Sequence, residues 1–520
     1  MRNSHLHFQF SLKSWTFLVC SILCIASCKD NPKDHLPKAE FCSLIHSNAP
    51  SELDKYLQPL DSLMQENTGA YVLEDGGGAL VTRAWLCENA QETIDIQYFI
   101  FSTDNVGLIA CDYLVHAADR GVKVRILVDD IMVDADIEDV LMLDSHENID
   151  IKIYNPGVNL GKNLFAKLKK FATDFRGANQ RMHNKTFTVD GAVVITGGRN
   201  VADEYFDYDH EYNFRDRDIL FMGQAANEVK ASFADFWTSR FSHEVTSLVD
   251  NLPEGLADSS RFDNLHEYAC DPGNFWPQVR EEIENLPQMF TKLIDEGKIL
   301  WMDSVQFISD KPGKNDGSHG LEGGGVTTDT LVSILARAQI SVDIQSPYLI
   351  TTEASRALFK AAVDRGVRVR ILTNSLASTD NIEAFSSYQT DRETLLVTGV
   401  EIYEFRPDAK ERMDIMTGEL QEKLNYSPIF GLHAKTMIVD GRITVIGTFN
   451  LDPRSANLNT ECLVVLYSKE LTSKVQKGID LEFRPENSWR ISGDFNPDEE
   501  VSKLKRISTW TRKIIPKEIL

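Results

Sequence analysis

One pattern of twenty residues occurs twice in this chain, and the second copy lies 250 positions after the first. Residues 181–200 read RMHNKTFTVDGAVVITGGRN, and residues 431–450 read GLHAKTMIVDGRITVIGTFN. The shared residues are His183, Lys185, Asp190, Gly197 and Asn200 in the first copy and His433, Lys435, Asp440, Gly447 and Asn450 in the second. A single His-x-Lys pair is common by chance, but two copies with matched downstream residues indicate a duplicated unit. We therefore expect two half-sites that meet in one centre.

The repeat continues upstream of these motifs. TIDIQYFIF (93–101) is echoed by SVDIQSPYLI (341–350), and AADRGVKVRILVDD (117–130) is echoed by AVDRGVRVRILTN (362–374). Each half alternates β-branched runs typical of strands with segments whose apolar residues have helical spacing. This β-α-β-α-β order predicts a mainly parallel sheet covered by helices. The sequence therefore predicts an α/β protein made of two α/β/α sandwich domains related by a pseudo-two-fold axis.

The length of 520 residues exceeds what one hydrophobic core normally organises, so two units are expected. Residues 251–300 carry several prolines and many acidic residues, which favours a connection between the units. The predicted segments are a leader (1–27), a tether with N-terminal helices (28–69), a first domain (70–250), the connection (251–300), a second domain (301–490) and a C-terminal tail (491–520).

The N-terminus is typical of an export signal. Arg2 and Lys13 precede an apolar run of about 13 residues, which is too short for an ordinary membrane span. The run ends in IASC at Cys28 and resembles a bacterial lipoprotein signal, in which the chain is cut before the cysteine and the thiol carries diacylglycerol. This resemblance implies a lipid anchor through Cys28 on the exported, periplasm-facing side of a bacterial membrane. An uncleaved anchor and a plain secretory signal remain the alternatives.

The formal net charge is −24, and it becomes −26 once the leader is removed. Proteins that bind duplex nucleic acid usually present a basic field, so this charge argues against a nucleic-acid partner. The cysteines that follow Cys28 are scattered and odd in number, without a Cys-x-x-Cys pair. They are Cys42, Cys87, Cys111, Cys270 and Cys462. We therefore expect neither a disulfide framework nor a zinc site.

Each motif is predicted to form a β-hairpin. Asp190-Gly191 and Asp440-Gly441 separate short β-rich runs, and an Asp-Gly pair favours a tight turn because both central residues adopt positive φ. We therefore favour a turn role for the two aspartates over direct catalysis. The glycine triplets at 76–78 and 323–325 could cradle a phosphate or form a tight turn, and the turn is favoured.

Residues two apart on a strand share a face, so His183 points the same way as Lys185, and His433 the same way as Lys435. The asparagine that ends each motif can return to the same end of the hairpin. Two lysines and two amides would surround one anion, which suits a phosphodiester. Two histidines then allow two displacement steps, in which one imidazole attacks phosphorus and the other protonates the leaving alcohol. The imidazoles must differ in protonation state, and each needs an orienting partner.

The motifs resemble the signature of the phospholipase D superfamily, His-x-Lys-x4-Asp-x6-Gly-(Gly/Ser/Thr)-x-Asn, which occurs twice in its lipid-processing members. Gly198 and Thr448 occupy the variable position of the two copies. The stretches IDIQYFIF, AADRGVKVRILVDD, GGRNVADEYFD and SPYLI are similar to the bacterial cardiolipin synthase branch. The resemblance covers most of residues 70–490. It implies a reaction without a metal or other cofactor, through a covalent phosphatidyl-histidine.

The resemblance also implies a role for each candidate residue. His183 matches the nucleophile of the family and His433 the acid/base. Asp218 in RDRDILF and Glu461 in NTECLVV match the carboxylates that orient the histidines, and each precedes an apolar run. The segment after Asn200 is longer than its counterpart in the second copy, so the match of Asp218 is the less regular one. The lysines and asparagines of the motifs complete the predicted catalytic set.

The expected activity is phosphatidyl transfer at a membrane surface, which joins two phosphatidyl units and releases a small alcohol. Phosphatidylglycerol is the expected substrate, with phosphatidylethanolamine as a further candidate. A phospholipase D would pass the same intermediate to water. A phosphodiesterase acting on nucleic acid is disfavoured by the charge and the anchor, and a non-catalytic scaffold by two intact motifs. The segment GKNLFAKLKKF (161–171) is either a contact with anionic lipid or an amphipathic helix packed on the domain.

Overall fold

The computed structural model describes residues 37–46, 52–130, 137–157, 177, 179–252, 255–256, 259–285, 288–314, 321–410 and 428–520. The predicted leader, Cys28 and the segment 161–171 lie outside the described residues. Within the described part of the chain, no helix combines the length and the apolar composition that a membrane crossing requires. Helices and strands are numbered below in the order in which the described residues form them.

The first half is built on a nine-stranded sheet. The strands of this half are β1 (Thr68–Leu73), β2 (Thr93–Tyr98), β3 (Lys123–Asp129), β4 (Ile149–Tyr154), β5 (Thr186–Val189), β6 (Val193–Gly197), β7 (Tyr212–Arg215), β8 (Asp218–Gly223), β9 (Ser242–Glu244) and β10 (Leu300–Met302). The order in the sheet is β10-β1-β8-β6-β5-β2-β3-β4-β9. Strands β2, β3 and β4 run parallel, and the antiparallel hairpin β5-β6 continues the sheet from β2.

The second half repeats this arrangement in an eight-stranded sheet. The strands of this half are β11 (Val305–Ser309), β12 (Ser341–Gln345), β13 (Arg368–Asn374), β14 (Glu401–Phe405), β15 (Ile429–Leu432), β16 (Thr436–Val439), β17 (Ile443–Gly447), β18 (Cys462–Tyr467) and β19 (Ser488–Arg490). All of them except β15 belong to the eight-stranded sheet. The order is β11-β18-β17-β16-β12-β13-β14-β19, and β12, β13 and β14 are parallel. The predicted duplication of an α/β unit is confirmed. Among the described strands, parallel pairing is limited to three adjacent strands in each sheet, and the other strand pairs are antiparallel, so both sheets are mixed rather than mainly parallel.

Helices cover the sheets. They are α1 (Lys38–Ile45), α2 (Leu53–Leu57), α3 (Asp61–Glu66), α4 (Gly76–Asn89), α5 (Asn105–Asp119), α6 (Ile137–Asp144), α7 (Gln224–Trp237), α8 (Ser259–Ala269), α9 (Pro277–Glu284), α10 (Met289–Asp295), α11 (Val326–Arg337), α12 (Glu353–Asp364), α13 (Ile382–Val397), α14 (Pro453–Asn457), α15 (Lys469–Glu482) and α16 (Lys503–Thr511). The first glycine triplet forms the first turn of α4, where Asp75 caps the helix by accepting from the N–H of Gly78. The second triplet leads into α11, and Gly323 and Gly324 there have positive φ.

The two halves share a hydrophobic core. Val194 and Phe221 of the first sheet pack in one buried cluster with Ile438 and Val464 of the second. Strands β7 and β15 also pair in parallel across the halves and form a two-stranded sheet of their own. Apolar burial and backbone hydrogen bonds therefore join the halves directly, and this junction carries both repeated motifs.

The described part of the predicted connection packs on the first half. Phe275 and Phe290 are buried in the core of the first half. Strand β10 then pairs with β1 at the edge of the first sheet. The chain therefore completes the first sheet before it begins the second half at β11.

A disulfide joins Cys42 of α1 to Cys270 at the end of α8. The expectation that the cysteines form no disulfide is therefore wrong for this pair. The two cysteines lie 228 residues apart, so no local spacing indicates the bond. Beside α1, the buried ring of His46 contacts Glu88 (Nδ1 to Oε1, 3.1 Å) and Asp112 (Nε2 to Oδ2, 2.5 Å). The bond and these contacts fasten α1 to the first half.

We predict that Cys42→Ser lowers the free energy of unfolding by about 2–4 kcal/mol, because the disulfide restricts the unfolded chain. Urea denaturation followed by tryptophan fluorescence measures this change. Cys111→Ser is the matched control, since Cys111 is a free, half-buried thiol. Equal stability of wild type and Cys42→Ser, with and without a thiol reductant, would contradict a stabilising bond.

Candidate active site

The hairpin turns hold the aspartates of the motifs. Asp190 and Asp440 have φ of 51° and 52°, and the glycine after each also has positive φ. The carboxylate of Asp190 accepts hydrogen bonds from the backbone N–H groups of residues 91–93, and that of Asp440 from those of residues 339–341. Each aspartate therefore closes a turn and fixes the start of the neighbouring strand, β2 or β12. Both aspartates thus lie in the tight turns that the sequence predicts.

His183 lies just before β5 and contacts a carboxylate of the opposite half. Its Nδ1 lies 2.8 Å from Oε2 of Glu461, and its backbone N–H donates to the carbonyl of Thr460 at 3.0 Å. The hydroxyl of Thr448 donates to the same oxygen of Glu461, so this oxygen acts as an acceptor. With Nδ1 donating its proton to the same acceptor, Nε2 keeps the lone pair that a nucleophile needs. The ring of Phe99 packs edge-on against this imidazole.

His433 lies between β15 and β16 and makes the reciprocal contact. Its Nδ1 lies 2.6 Å from Oδ2 of Asp216, and its backbone N–H donates to the carbonyl of Arg215 at 2.8 Å. The rings of Tyr205 and Phe214 pack against the imidazole, with centroids 5.1 and 4.7 Å away. Each half therefore supplies the histidine of one pair and the carboxylate of the other.

Asp218, which the sequence predicts to orient a histidine, contacts arginines instead. Its Oδ2 accepts from Arg83 at 2.7 Å, and its Oδ1 accepts from the backbone N–H of Arg199 at 3.2 Å. The prediction is wrong because RDRD offers two aspartates, and only the strand register chooses between them. That register pairs Gly197 with Asp218, which leaves Asp216 just outside β8 and beside the imidazole. Glu461 does contact a histidine, as predicted.

Close approach to the carboxylates explains the glycines after the hairpin. A Cβ on Gly198 would lie 2.0 Å from Oδ1 of Asp216, and one on Gly197 would lie 2.3 Å from a carboxylate oxygen in β8. The second copy carries Thr448 at the place of Gly198, and this hydroxyl donates to Glu461. The residue at the variable position of the motif therefore sets the contact with the carboxylate of the same half: Gly198 leaves room for Asp216, and Thr448 donates a hydrogen bond to Glu461.

The two motif lysines are buried with the histidines. Nζ of Lys185 donates to the carbonyl of His183 at 2.9 Å, and Nζ of Lys435 lies 3.0 Å from Nε2 of His433. Burial lowers the pKa of Lys185 to about 8 and that of Lys435 to about 7. Their positive charge is therefore costly in the ligand-free site, and a bound anion would stabilise it.

The two motif asparagines have different partners. Oδ1 of Asn200 accepts from the backbone N–H of Ile100 at 3.1 Å. Oδ1 of Asn450 is buried and has no hydrogen-bond partner among the described residues. Such a buried acceptor is unfavourable unless a ligand supplies a donor. A hydroxyl of a bound alcohol has the chemistry to supply it.

Both imidazoles are neutral in the ligand-free site. Burial, together with Lys185 and Lys435, holds the pKa of His183 well below its usual range. Burial and Lys435 lower the pKa of His433 to about 3, although Asp216 acts in the opposite direction. The sequence analysis expects one charged and one neutral imidazole. A bound phosphodiester would offset the lysine charges and raise both pKa values, so the charged acid can form only with substrate present.

The sequence analysis missed a charged network around the RDRD segment. Arg215 donates to Glu482 at 2.8 Å and to Glu74 at 2.6 Å, and Arg217 donates to Glu74 at 2.9 Å. Burial disfavours the ionised form of Glu74, but the two arginines outweigh it and lower the pKa to about 2. Carboxylates from both halves thus hold the segment that presents Asp216. The alternation of arginine and aspartate in RDRD was the available signal.

Side chains of metal-ligating type also cluster in the described residues. The groups surround His46 and His266 and include Cys42, Cys270, Glu88, Asp112 and His116. None of these residues belongs to the repeated motifs. The chemistry available to the motif residues themselves is nucleophilic and acid–base, with two cationic groups for an anion.

Comparison with known families identifies the class of protein. The family model described as "Cardiolipin synthase, PLD-like domain" matches residues 86–237 and 331–481, which correspond to the two halves and cover more than half of the chain. The chain therefore belongs to this family, a branch of the phospholipase D superfamily, as the motifs predict.

Individual relatives span most of the chain. Cardiolipin synthase C of Escherichia coli (strain K12) is 33% identical over 84% of this chain and 89% of that protein. An uncharacterized protein of Helicobacter pylori (strain ATCC 700392 / 26695) is 34% identical over 86% of each chain. The crystal structure of phosphatidylserine synthase from Haemophilus influenzae Rd KW20 matches 90% of this chain and 100% of that one with a TM-score of 0.55. The identity to that structure is 14%, so it shows the fold alone.

We predict that Asp216→Asn lowers kcat for a soluble phosphodiester, bis(p-nitrophenyl) phosphate, by about 10²–10⁴-fold, because asparagine does not hold His433 as a carboxylate does. Asp218→Asn is the matched variant, and it should lower the melting temperature more than kcat because its contacts are to arginines. Both variants are measured by steady-state kinetics and thermal unfolding. Equal loss of kcat in the two, with unchanged melting temperatures, would refute the assignment of Asp216.

We also predict that anion binding weakens as pH rises through 7–8, because Lys185 and Lys435 lose their charge in this range. Calorimetric titration with sulfate between pH 6.5 and 9 measures the effect, since sulfate itself does not titrate there. Lys435→Arg keeps its charge over this range, so its sulfate affinity should depend less on pH. Affinity that is independent of pH in the wild type would show that the lysines do not carry the anion site.

Proposed function

We propose that this chain is a phosphatidyltransferase that joins two phosphatidyl units into cardiolipin. One observation carries the proposal above all: two motif histidines, each hydrogen-bonded to a carboxylate of the other half, share a buried site with two lysines. The family and the relatives named as cardiolipin synthases support the same activity.

In the first step, Nε2 of His183 attacks the phosphorus of phosphatidylglycerol. The P–N bond forms as the P–O bond to the headgroup glycerol breaks, and the proton of the His433 imidazolium passes to the leaving oxygen. Lys185 and Lys435 offset the charge on the phosphoryl oxygens. The products of this step are phosphatidyl-His183, free glycerol and neutral His433.

In the second step, a hydroxyl of a second phosphatidylglycerol attacks the phosphorus of phosphatidyl-His183. His433 takes the hydroxyl proton, the new P–O bond forms, and the P–N bond breaks. Two molecules of phosphatidylglycerol thus give one cardiolipin and one glycerol, and both histidines return to their starting states. Phosphatidylethanolamine in the first step would release ethanolamine and leave the same intermediate.

We further propose that the chain works at the exported face of a bacterial membrane, anchored through Cys28. The leader-like sequence before Cys28 supports this placement. The disulfide between Cys42 and Cys270 also supports it, because disulfides persist in oxidising compartments. An anchor at this position would hold the site close to its lipid substrates.

Mass analysis of the products tests the activity. Purified protein incubated with labelled phosphatidylglycerol in vesicles should form cardiolipin and glycerol in equal amounts. Phosphatidic acid without cardiolipin would replace the transferase with a phospholipase D.

The histidine roles are tested in the same assay. His183→Ala should abolish turnover and the acid-labile phosphatidyl-enzyme. His433→Ala should slow release of glycerol, because no proton reaches the leaving oxygen. His243→Ala, an exposed histidine on β9, is the control and should keep wild-type turnover. Substantial activity in both motif variants would refute the shared centre.

A further inference from the structure

We infer that an open apolar cavity in the second half binds an acyl chain of the lipid substrate. The inference deepens the proposed function and rests on it. The cavity has a volume of about 1080 Å³ and lies between α11, α12 and the second sheet. Its lining includes Leu331 and Leu335 of α11, Leu358 of α12, Met437 of β16 and Leu451. This volume is at the upper end for ligand sites, whereas protein interiors are otherwise close-packed.

The cavity adjoins the anion site. Lys435, Gly447 and Phe449 of the second motif line it together with the apolar side chains. Lys435 and Met437 are two residues apart and therefore share a face of the strand. A ligand with its phosphate at the lysines meets an apolar wall at once. A phosphatidyl group combines these two features, because its phosphate is joined through glycerol to long hydrocarbon chains.

The first half contains the same space in a filled form. Between α4, α5 and the first sheet the remaining volume is about 30 Å³. Arg83 occupies this region, where its Nε donates to the hydroxyl of Tyr98 at 3.1 Å and its guanidinium lies 5.4 Å from the ring centre of Phe206. The equivalent space is therefore filled by side chains in the first half and open in the second, although the motifs of the two halves match.

Substitutions between the repeats account for the difference. Asp190 accepts a hydrogen bond from the N–H of Thr93, and Asp440 accepts one from the N–H of Ser341. Thr93 and Ser341 are therefore equivalent, and residues before the second motif lie 248 positions after their counterparts in the first half. Two large side chains of the first half have smaller counterparts in the second, because this offset aligns Arg83 with Leu331 and Tyr98 with Ser346. After the motifs, Phe206 lines the small space of the first half, whereas Ala456 lines the cavity of the second. The second half therefore lacks the side-chain volume and the buried charge that fill the equivalent space of the first half.

An acyl chain fits this space better than a polar occupant. Each methylene of an acyl chain is stabilised when it leaves water for the apolar lining, whereas a peptide or a soluble alcohol would leave polar groups unpaired there. The cavity is also partly open to solvent and has Lys435 in its lining, so a chain can enter it while the phosphate stays beside the motif residues. One acyl chain of the phosphatidyl donor is therefore the occupant.

Filling the cavity tests the inference. Ala456→Phe adds an aromatic ring to the lining after the second motif, and Leu331→Trp adds volume to the lining on α11. For each variant, kcat/KM is measured with dioleoyl and dihexanoyl phosphatidylglycerol in mixed micelles. The ratio of long-chain to short-chain kcat/KM should fall about tenfold or more in both. Val397→Trp, at a site on α13 that is 84% exposed, is the control and should keep the wild-type ratio.

A labelling experiment decides the point without relying on turnover. Phosphatidylglycerol with a diazirine near the end of one acyl chain is bound to His183→Ala, which does not consume it, and irradiated. Peptide mapping should place the label on α11 and α12, and Ala456→Phe added to this background should reduce it. Label confined to other elements, with an unchanged kinetic ratio, would overturn the inference. If the wild type converts neither lipid, the proposed function fails, while the label still reports on the cavity.

Discussion

The exchange of carboxylates between the halves is the interaction on which the rest of the site depends. Glu461 holds His183 and Asp216 holds His433, so neither half contains a complete pair. Separation of the halves would leave two buried carboxylates without their partners, and unpaired buried charges are strongly unfavourable. The shared apolar core and the β7–β15 pairing supply the contact that keeps the exchange in place. The geometry of both histidine–carboxylate pairs therefore depends on the association of the two halves.

The same burial makes the site dependent on its substrate. Two lysines and two histidines lie in a region where desolvation lowers the pKa of each. Without a ligand the site therefore tends towards neutral groups. A phosphodiester brings the negative charge that restores the ammonium groups and allows an imidazolium to form. The protonated imidazole that the reaction needs therefore forms only when the phosphate is bound. Proton transfer is thus limited to molecules that occupy the site.

Most of the fold could be predicted from the sequence, because repeated spacing is a local property. The parallel strands, the Asp-Gly turns and the pairing of Glu461 with a histidine all follow from motifs that a reader can align. The remainder depends on long-range register. Nothing in RDRD distinguishes Asp216 from Asp218 until β8 is paired with β6. The disulfide between residues 228 apart and the contacts of Glu74 with two arginines likewise exist only once distant segments have been brought together.

Duplication made two similar half-sites, and their differences separate the roles of the two histidines. Burial disfavours the charge of Asp216, but His433, Lys435 and Arg199 outweigh it and hold its pKa far below the usual range. This carboxylate therefore stays ionised and favours an imidazolium at His433 once substrate is bound. Burial raises the pKa of Glu461 to about 7, and its Oε2 also accepts from Thr448, so it supports a charged His183 less strongly. With substrate bound, Glu461 therefore leaves His183 neutral, as a nucleophile requires. Asp216 instead stabilises the proton that His433 must carry as the acid.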